Sequence, residues 1–512
     1  MSQAPPPGGG ALAEIFAERR RKAEELRRAG QEPWGVDYSP TLSCAAAADR
    51  VPATAVEVGE SARVAGRILR LRSSGGIAFA DCNDASGTLQ LLASRDGGGE
   101  ALVAQLEGLD LGDIVGAEGE LIRSRRGEPS LRLRQLTLLA KALRPPASKV
   151  RGLTDVEQRY RRRYLDLLSD PAQRGIFRQR AAVIRALRRV LDGRDFLEVE
   201  TPMLQAIPGG GAARPFATHH HSLDADLYLR IAIELYLKRL LVGGFERVYE
   251  VGRTFRNEGL SPRHNPEFTL LEAYQAYANL RTMQELCEEL MVAAADAAAA
   301  NGAVPAPQSP SLRPPYPAET MTRLVSQGTG LDADALWDDP VRLRGEAGRL
   351  GVDLAEGASS GEVLFAAYEQ LVEPQLRGPV FVTEYPVEVS PLARLGPDPR
   401  FVERFELVVE GRELANAFSE LNDPLEQRRR LTEQALRRES GDLESQPFDE
   451  DFVEALEHGM PPAGGIGVGV DRLVMQATGA KSIRDVLLFP TLRPGGAGRG
   501  AVAADPPSPP PA

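Results

Sequence analysis

The sequence is short of cysteine: Cys44, Cys82 and Cys287 are its three in 512 residues, far apart and without a CxxC pair. That argues against a disulfide framework and against a zinc ribbon. No run of about 18 apolar residues occurs, so no membrane-spanning helix and no membrane partner are expected. The opening stretch, MSQAPPPGGG, lacks a basic segment followed by an apolar one, so no secretory signal is expected. A GxGxxG fingerprint after an early βαβ unit is missing too, and with it the signature of a dinucleotide fold. No long internal repeat is present. The expectation left is a reduced, cytoplasmic protein of enzyme size.

What is present fits two to four domains at roughly 150 residues each. Hydrophobic residues make up 42% and charged residues 26%, enough to bury a large core. The net charge of −11 is unevenly spread. Residues 121–163 carry thirteen Lys and Arg against Glu128, Asp155 and Glu157, a net of +10. Such a band fits either a footprint for a polyanion or a solvated face with a charged linker.

Along the chain, a Pro/Gly-rich start (1–10) is expected to be disordered, and residues 11–29 read as a charge-laced helix. Residues 41–60 show no strong pattern. Short β-like stretches follow at 63–71, 77–81, 88–93, 113–123 and 130–139, with a helical stretch at 99–108 after the third. Five strands with a helix there predict an OB-fold barrel. Pro145-Pro146 mark a break, and helical periodicity takes over at 176–191 with Gly193 as a C-cap. FLEVETPML (196–204), 379–390 and 401–411 read as strands, 424–440 and 449–458 as helices, and the glycine run at 464–472 as the opening of another helix. The expected division is an N-terminal extension (1–60), a barrel (61–144), a linker (145–165), a large second domain (166–494) and a disordered tail (495–512).

Three segments carry the chemical signal. In 252–268, Arg253, Arg256 and Arg263 are packed close to Glu258, His264, Asn265 and Phe268. Guanidinium groups bind phosphate or carboxylate through paired hydrogen bonds, and an aromatic close by can stack on a base. In 404–423, Glu406 and Glu413 are hard oxygen ligands of the kind that bind Mg²⁺ when phosphates complete its shell. In 464–472, glycines admit close backbone approach and Arg472 adds a cation. Each alone reads equally as a salt-bridge cluster, a solvated strand or a turn. Their combination and order decide.

FLEVETP (196–202), FRNEG…RHNPEF (255–268) and GIGVGVDR (465–472) resemble the three signature motifs of class II aminoacyl-tRNA synthetases. IPGGGAARPF (207–216), LYLRIAIELYLKRLLVGGFERVYEVGR (227–253), EYPVEVSPLAR (384–394), ANAFSELNDP (415–424) and SIRDVLLFP (482–490) closely resemble the bacterial lysyl-tRNA synthetases, over roughly residues 60–494. The resemblance implies an α+β chain: an N-terminal OB-fold barrel that binds the anticodon, then a catalytic domain with a mixed, mostly antiparallel sheet flanked by helices. It implies condensation of L-lysine with ATP to a lysyl-adenylate and pyrophosphate, transfer of lysine to the 3′ end of tRNA(Lys), a Mg²⁺ requirement and a homodimer.

Residue by residue, the resemblance gives Arg256 to the α-phosphate and the lysine carboxylate, Glu258 to the adenine region, and Arg263, His264 and Asn265 to the nucleotide. Phe268 stacks on adenine and Arg472 covers its other face or reaches the terminal phosphates; Arg256, Glu258 and Arg472 form the catalytic set. Glu406 and Glu413 ligate Mg²⁺. Gly210 and Glu234 lie at the α-amino end of lysine. Glu272, Tyr274, Asn416, Phe418 and Glu420 line its side-chain pocket, with Glu420 and Tyr274 on the ε-amino group. Arg72, Phe79, Gln90 and Glu128 read the anticodon, and the basic band touches tRNA backbone.

Three departures stand out. Ala232-Ile233-Glu234 stands where the family has Ala-Pro before the glutamate, which is expected to loosen that turn. Gly75-Gly76 stands for Gly-Lys, and His219-His220-His221 for His-His-Asn. Neighbours on a strand alternate faces, so three histidines in a row do not converge on one metal ion. Competing readings are an aspartyl or asparaginyl enzyme, whose acidic substrate the pocket glutamates would repel; a lysine transferase acting on an elongation factor, which lacks the barrel; and a non-catalytic RNA-binding relative, in which the motif residues would be degraded.

Overall fold

The computed structural model describes residues 10–35, 37–54, 58–146, 153, 155–301, 312–442 and 445–493. The segments expected to be disordered, most of 1–10 and all of 495–512, lie outside the described residues, as does much of the linker 145–165. The chain divides into two units, one within Met1–Thr154 and Tyr164–Ser169, the other within Asp155–Arg163 and Asp170–Ala512.

In the first unit, β1 (Val58–Ser74), β2 (Ile77–Asn83), β3 (Thr88–Ser94), β4 (Ile114–Arg123) and β5 (Pro129–Ala140) close into a barrel in the order β1-β2-β3-β5-β4. Alternate residues turn inward: Ala78, Ala80 and Cys82 on β2 and Leu89, Leu91 and Ala93 on β3 belong to one buried core. Gly75 and Gly76 join β1 to β2, both at positive φ (61° and 82°), which a two-residue hairpin of this hand requires and which favours glycine. The expected helix between β3 and β4 runs Arg95–Glu107, and the N-terminal one Ala11–Arg28. A short helix, Cys44–Asp49, was not expected. Four consecutive alanines favour it, Ser43 caps it by accepting from the Ala46 N–H, and Cys44 and Ala47 bury its inner face.

The second unit is built on an eight-stranded sheet. Its strands are β6 (Leu197–Glu198), β10 (Arg247–Phe255), β11 (Glu267–Ala276), β12 (Ala318–Thr320), β13 (Val380–Pro386), β14 (Phe401–Val408), β15 (Glu413–Ser419) and β16 (Ala463–Gly469). They lie in the order β12-β13-β14-β15-β16-β11-β10-β6. The pairs β12·β13 and β10·β6 are parallel and the rest antiparallel, so the sheet is mixed and mostly antiparallel. Strands β7 (Leu204–Gln205), β8 (Ala217–His220) and β9 (Ala225–Leu229) form a separate small sheet. The helices Pro171–Asp192 and Leu280–Asn301 pack on one face of the large sheet, where Leu187, Met283, Leu290, Ile466 and Val468 share a core.

Two expectations need correction. FLEVETPML holds two-residue strands at Leu197–Glu198 and Leu204–Gln205 and not one continuous strand; Pro202 between them has no N–H to offer a ladder. The glycine run is itself strand β16, and the helix Val470–Thr478 begins only after it. Gly193 does cap its helix, in the right-handed region.

Candidate active site

Register places the site. Across the open face of the large sheet, Glu272 pairs with Gly467, Gly467 with Asn416 and Asn416 with Glu406. The next row is Tyr274, Gly465, Phe418 and Arg404. In GIGVG the glycines face outward while Ile466 and Val468 face the core, a period-two strand with no side chains on its outer face. A cavity of about 200 Å³ lies over these glycines, lined by Arg256, His264, Phe268, Glu272, Tyr274, Asn416 and Arg472 among others. From Tyr274 to Phe268 is six residues of one strand, about 20 Å at roughly 3.3 Å per residue. The site is long enough for two substrates in line.

One end is cationic. The turn between β10 and β11 is held by Arg256 N donating to Pro266 O at 2.8 Å. Ser261 Oγ accepts from the backbone of Arg263 (3.1 Å) and His264 (3.0 Å). The Arg256 guanidinium lies 5.2 Å from the Phe268 ring centroid, and its Nε has no acceptor among the described residues. Arg472 bridges two walls, with Nη1 donating to Glu413 Oε2 at 3.1 Å and Nη2 at 3.2 Å from His264 Nε2. Since arginine only donates, His264 Nε2 accepts, which leaves Nδ1–H to donate to Ser261 Oγ at 3.0 Å. Burial, then the charge of Arg472, hold this imidazole below its ordinary pKa, so it is neutral near neutral pH. Asn265 is fixed between Glu267 O (2.7 Å) and Thr491 N (3.1 Å), and Arg263 donates to Gly411 O at 3.4 Å. Glu258 lines the same cavity.

Beside this end stand Glu406 and Glu413. Glu406 is buried and accepts from Arg404 Nη2 at 2.5 Å. Burial and the neighbouring charge of Glu413 push its carboxyl up, as expected of two carboxylates that share a site built for a cation. Among the described residues no group of three or more His, Cys, Asp or Glu could hold a metal by itself. The donor set therefore fits a hard ion that takes two carboxylates and completes its shell with phosphate oxygens and water.

The other end is anionic and almost dry. Glu272, Tyr274 and Glu420 are 4%, 3% and 1% exposed. Glu272 Oε1 accepts from Ile233 N at 3.1 Å, and Oε2 from Tyr274 Oη at 3.1 Å. Burial and the charge of Glu234 raise the Glu272 carboxyl to about 7. Glu234 and Glu420 do not line the cavity but stand behind its wall. A Cβ on Gly465 would lie 2.1 Å from Glu420 Oε1 and 2.4 Å from the Tyr274 ring, so glycine there is what gives these groups room. Gly210 (φ 84°) sits beside Glu234, whose Cβ would be 3.3 Å from a side chain placed on it.

The sequence reading missed Lys238. Its Nζ lies 2.6 Å from Glu234 Oε1 and 2.5 Å from Glu420 Oε2, fully buried. A Glu-Lys pair four residues apart usually marks a solvated helix face; the signal to the contrary was Leu235, Leu237 and Leu241 around it. Arg180 and Asp471 were also passed over. Asp471 accepts from the Thr269 backbone at 2.7 Å and pairs with Arg180 at 2.5 Å, tying the glycine strand's end to the Phe268 strand.

The anticodon candidates fall on one outer face of the barrel. Arg72 pairs with Phe79 across β1·β2, Asp81 with Gln90 across β2·β3, and Gln90 with Ser130 across β3·β5. Phe79 is half-buried and points away from the core, with the Arg72 guanidinium 5.8 Å from its centroid. Ser130 Oγ donates to Gln90 Oε1 at 3.0 Å, and Glu128 is exposed in the turn before it. Two members of the basic band are not surface charges. Lys141 is buried against Asp110 and Asp113, and Arg163 is buried with its guanidinium on the carbonyls of Leu488, Arg484 and Leu487. His219 and His221 share a side, ring centroids 5.2 Å apart, with His219 Nδ1 on Asp226 at 2.9 Å.

Residues 155–493 match the model of the class II tRNA synthetases (D, K and N), and residues 62–139 that of the OB-fold nucleic acid binding domain. The chain belongs to the class II tRNA synthetases. The lysine–tRNA ligase of Moorella thermoacetica is 50% identical over 483 residues, 94% of this chain and 98% of that protein. The lysine–tRNA ligase of Carboxydothermus hydrogenoformans is 47% identical over 94% of this chain and 99% of its own length. That of Thermosynechococcus vestitus is 48% identical over 96% and 99%. Within this class II synthetase, Arg256, Glu258, Arg263, His264, Asn265, Phe268 and Arg472 line the cavity, Glu234, Glu406 and Glu420 do not, and the barrel precedes them all in the chain.

Proposed function

We infer that this chain is an ATP-dependent lysine–tRNA ligase that forms lysyl-adenylate and then charges tRNA(Lys). The observation that carries the reading is the polarity of the site: arginines at one end of a strand face, buried carboxylates and a tyrosine at the other. Lysine has a carboxylate to meet Arg256 and two ammonium groups to meet the acids. Glu234 and Gly210 receive the α-ammonium; Glu272, Tyr274, Asn416, Phe418 and Glu420 enclose the side chain. Glu420 Oε1 has no hydrogen-bond donor among the described residues, which suits an acceptor kept for an ε-ammonium. A neutral analogue leaves that carboxylate unpaired, a loss that reaches roughly 10⁴-fold discrimination in sites of this kind. The side-chain carboxylate of aspartate would be repelled by these acids.

Attack of the lysine carboxylate on the α-phosphorus brings two anions together. Arg256 and Arg472 lower that repulsion from fixed positions. Neutral His264, Asn265 and Arg263 hold the nucleotide, Glu258 meets the adenine, and Phe268 offers its face for stacking. Glu406 and Glu413 would hold Mg²⁺, which neutralises the phosphates when bound. No protein nucleophile is needed; positioning and charge carry the step.

On the barrel, Phe79 stacks an unpaired base while Arg72, Gln90 and Glu128 read edges. The division into an extension (1–60), anticodon barrel (61–144), linker (145–165) and catalytic domain (166–494) is part of this reading. A homodimer is supported by the exposure of the apolar side chains Leu197, Met203, Leu204, Ile207 and Leu223. Free, buried Cys44, Cys82 and Cys287 suit a cytoplasmic, reducing setting. Amino-acid-dependent ATP–pyrophosphate exchange with all twenty amino acids tests the reading. Exchange with lysine alone is expected. Exchange with aspartate or asparagine, or with none by a folded chain that binds ATP, would overturn it.

A further inference from the structure

The amino-acid end of the site contains more acid than one would place beside a substrate, and one base. Glu234, Glu272 and Glu420 are each buried within one cluster, and Lys238, fully buried, touches two of them. Its Nζ also lies 2.5 Å from Glu420 Oε2, a buried ion-pair contact. Lys238 Nζ donates to Glu234 Oε1 at 2.6 Å and reaches Leu392 O at 3.5 Å.

The other charges nearby have partners. Arg230 donates to Glu250 Oε1 at 2.6 Å, a net-neutral pair whose guanidinium draws the Glu272 carboxyl down only as a minor contribution. Arg430 is taken up by Glu426 and by the carbonyls of Ser390 and Ala393. Tyr274 donates to Glu272 and stays protonated, its hydroxyl pushed up by burial. Three carboxylates and one ammonium remain, a formal −2. A buried charge without a partner is costly, so a pocket takes most readily a ligand that cancels its own count.

We propose that Lys238 is a positioning residue that sets the pocket at a formal −2, matching the two ammonium groups of a lysine substrate, and holds Glu420 in place for the ε-ammonium. This rests on the lysine reading above and deepens it. The α-carboxylate of the substrate is left for Arg256, outside the count.

Burial works against the charge on Lys238, but Glu234 and Glu420 together outweigh it and hold the ammonium above its ordinary value. Burial raises the Glu420 carboxyl; Lys238 pulls it back, and Glu234 and Glu272 push it up again. Removing Lys238 therefore raises the acids further. Lysine must then displace a proton at a pH where the native pocket is already ionised.

The test is the pH profile of KM for lysine in pyrophosphate exchange by the full chain. Below the pocket's ionisation, KM rises about tenfold for each pH unit of acidification, and above it KM is flat. The substrate's ε-amine titrates near 10.4 and its α-amine lower, but both do so identically for every variant, so differences between the breaks belong to the pocket. In Lys238→Met the break is expected about one pH unit or more higher than in the parent chain. In Glu420→Gln, formally −1, it falls lower. In the double variant Lys238→Met/Glu420→Gln, formally −2 again, it returns to within about half a pH unit of the parent position, whatever the absolute KM.

A purely structural Lys238 would change KM by one factor at every pH and leave the break in place; that result overturns the proposal. If Lys238→Met fails to fold, the other two variants decide, and coincident breaks for Glu420→Gln and the double variant overturn it equally. Lysine-dependent exchange by the parent chain separates the two claims. Its absence removes the lysine reading and this proposal with it, whereas exchange with unmoved breaks removes this proposal alone.

Discussion

The backbone N–H of Ile233 donates to Oε1 of Glu272 at 3.1 Å inside the buried end of the site. An isoleucine here, where the family resemblance leads one to expect proline, is expected to loosen the turn. The structure shows what the isoleucine supplies in exchange. Ile233 is fully buried at the start of the helix Glu234–Val242, at φ −106°, and supplies a donor that proline lacks. Hydrogen bonds to charged groups contribute about 1.5–3 kcal/mol. Because the freed oxygen can turn toward a substrate ammonium, the loss in Ile233→Pro should be smaller, about a three- to tenfold rise in KM for lysine. KM for ATP should not move. Initial-rate pyrophosphate exchange checks both, and an unchanged KM for lysine would show that the bond does not orient Glu272.

Removal of Arg256 should act on rate more than on binding. Its Nε has no acceptor among the described residues, and its position beside Phe268 aims it at the junction of the two substrates. A preorganised donor of this kind is worth about 10²–10³-fold in rate. Arg256→Ala should lose at least that much of kcat for exchange while equilibrium dialysis still detects ATP. Loss of ATP binding with kcat retained would move Arg256 out of the catalytic set.

The raised carboxyl of Glu272 predicts a pH dependence with a definite sign. Between its ordinary value of 4.5 and about 7, the folded chain holds a proton that the unfolded chain has lost. Its contribution to stability therefore falls as pH rises through that window and is level above it. Bound lysine needs the ionised form. Lysine should thus raise Tm more at about pH 8 than at about pH 6, after correction for the ligand-free curves. Equal shifts at both would mean that Glu272 is ionised before lysine arrives.

How much of this was legible in the sequence depends on what the side chains advertise. The barrel was readable because the core residues Ala78, Ala80 and Cys82, and Leu89, Leu91 and Ala93, recur at every second position, and because glycine and Asn-Asp pairs mark its turns. The centre of the catalytic sheet was not. Strand β16 alternates Gly with Ile and Val, and glycine carries no hydrophobic signal, so the run looked like the lead into a helix. Lys238 was hidden for a different reason. Its spacing from Glu234 is that of an exposed pair, and only the packing of Leu237 and Leu241 around it reveals burial. The basic band misled in the same way, because Lys141 and Arg163 count as surface charges in a sequence but are buried in the fold.

The barrel face separates from the chemistry in a way that kinetics can read. Phe79 lies outside the barrel core with Arg72 stacked near it. Base stacking on an aromatic is worth about 1–3 kcal/mol, or roughly 5- to 150-fold. Phe79→Ala should lower kcat/KM for tRNA in aminoacylation by a factor in that range and leave lysine-dependent exchange, which needs no tRNA, unchanged. A fall in both would place the fault in folding, and a fall in neither would remove Phe79 from the anticodon face.

Gly465 offers the sharpest steric test. Its outward position on β16 faces Glu420 and Tyr274, and a methyl group there would stand 2.1 Å from a carboxylate oxygen and 2.4 Å from the ring. Both neighbours are nearly fully buried, so neither has free space to retreat into. Gly467, two residues on, would place a methyl 3.8 Å from Glu272 Cγ, an ordinary contact. The prediction is therefore a contrast. Gly465→Ala should abolish saturation by lysine while ATP binding persists, and Gly467→Ala should change KM for lysine several-fold at most. Calorimetric titration with ATP and with lysine separates the two. If Gly465→Ala binds lysine normally, Glu420 and Tyr274 do not form the floor of the pocket.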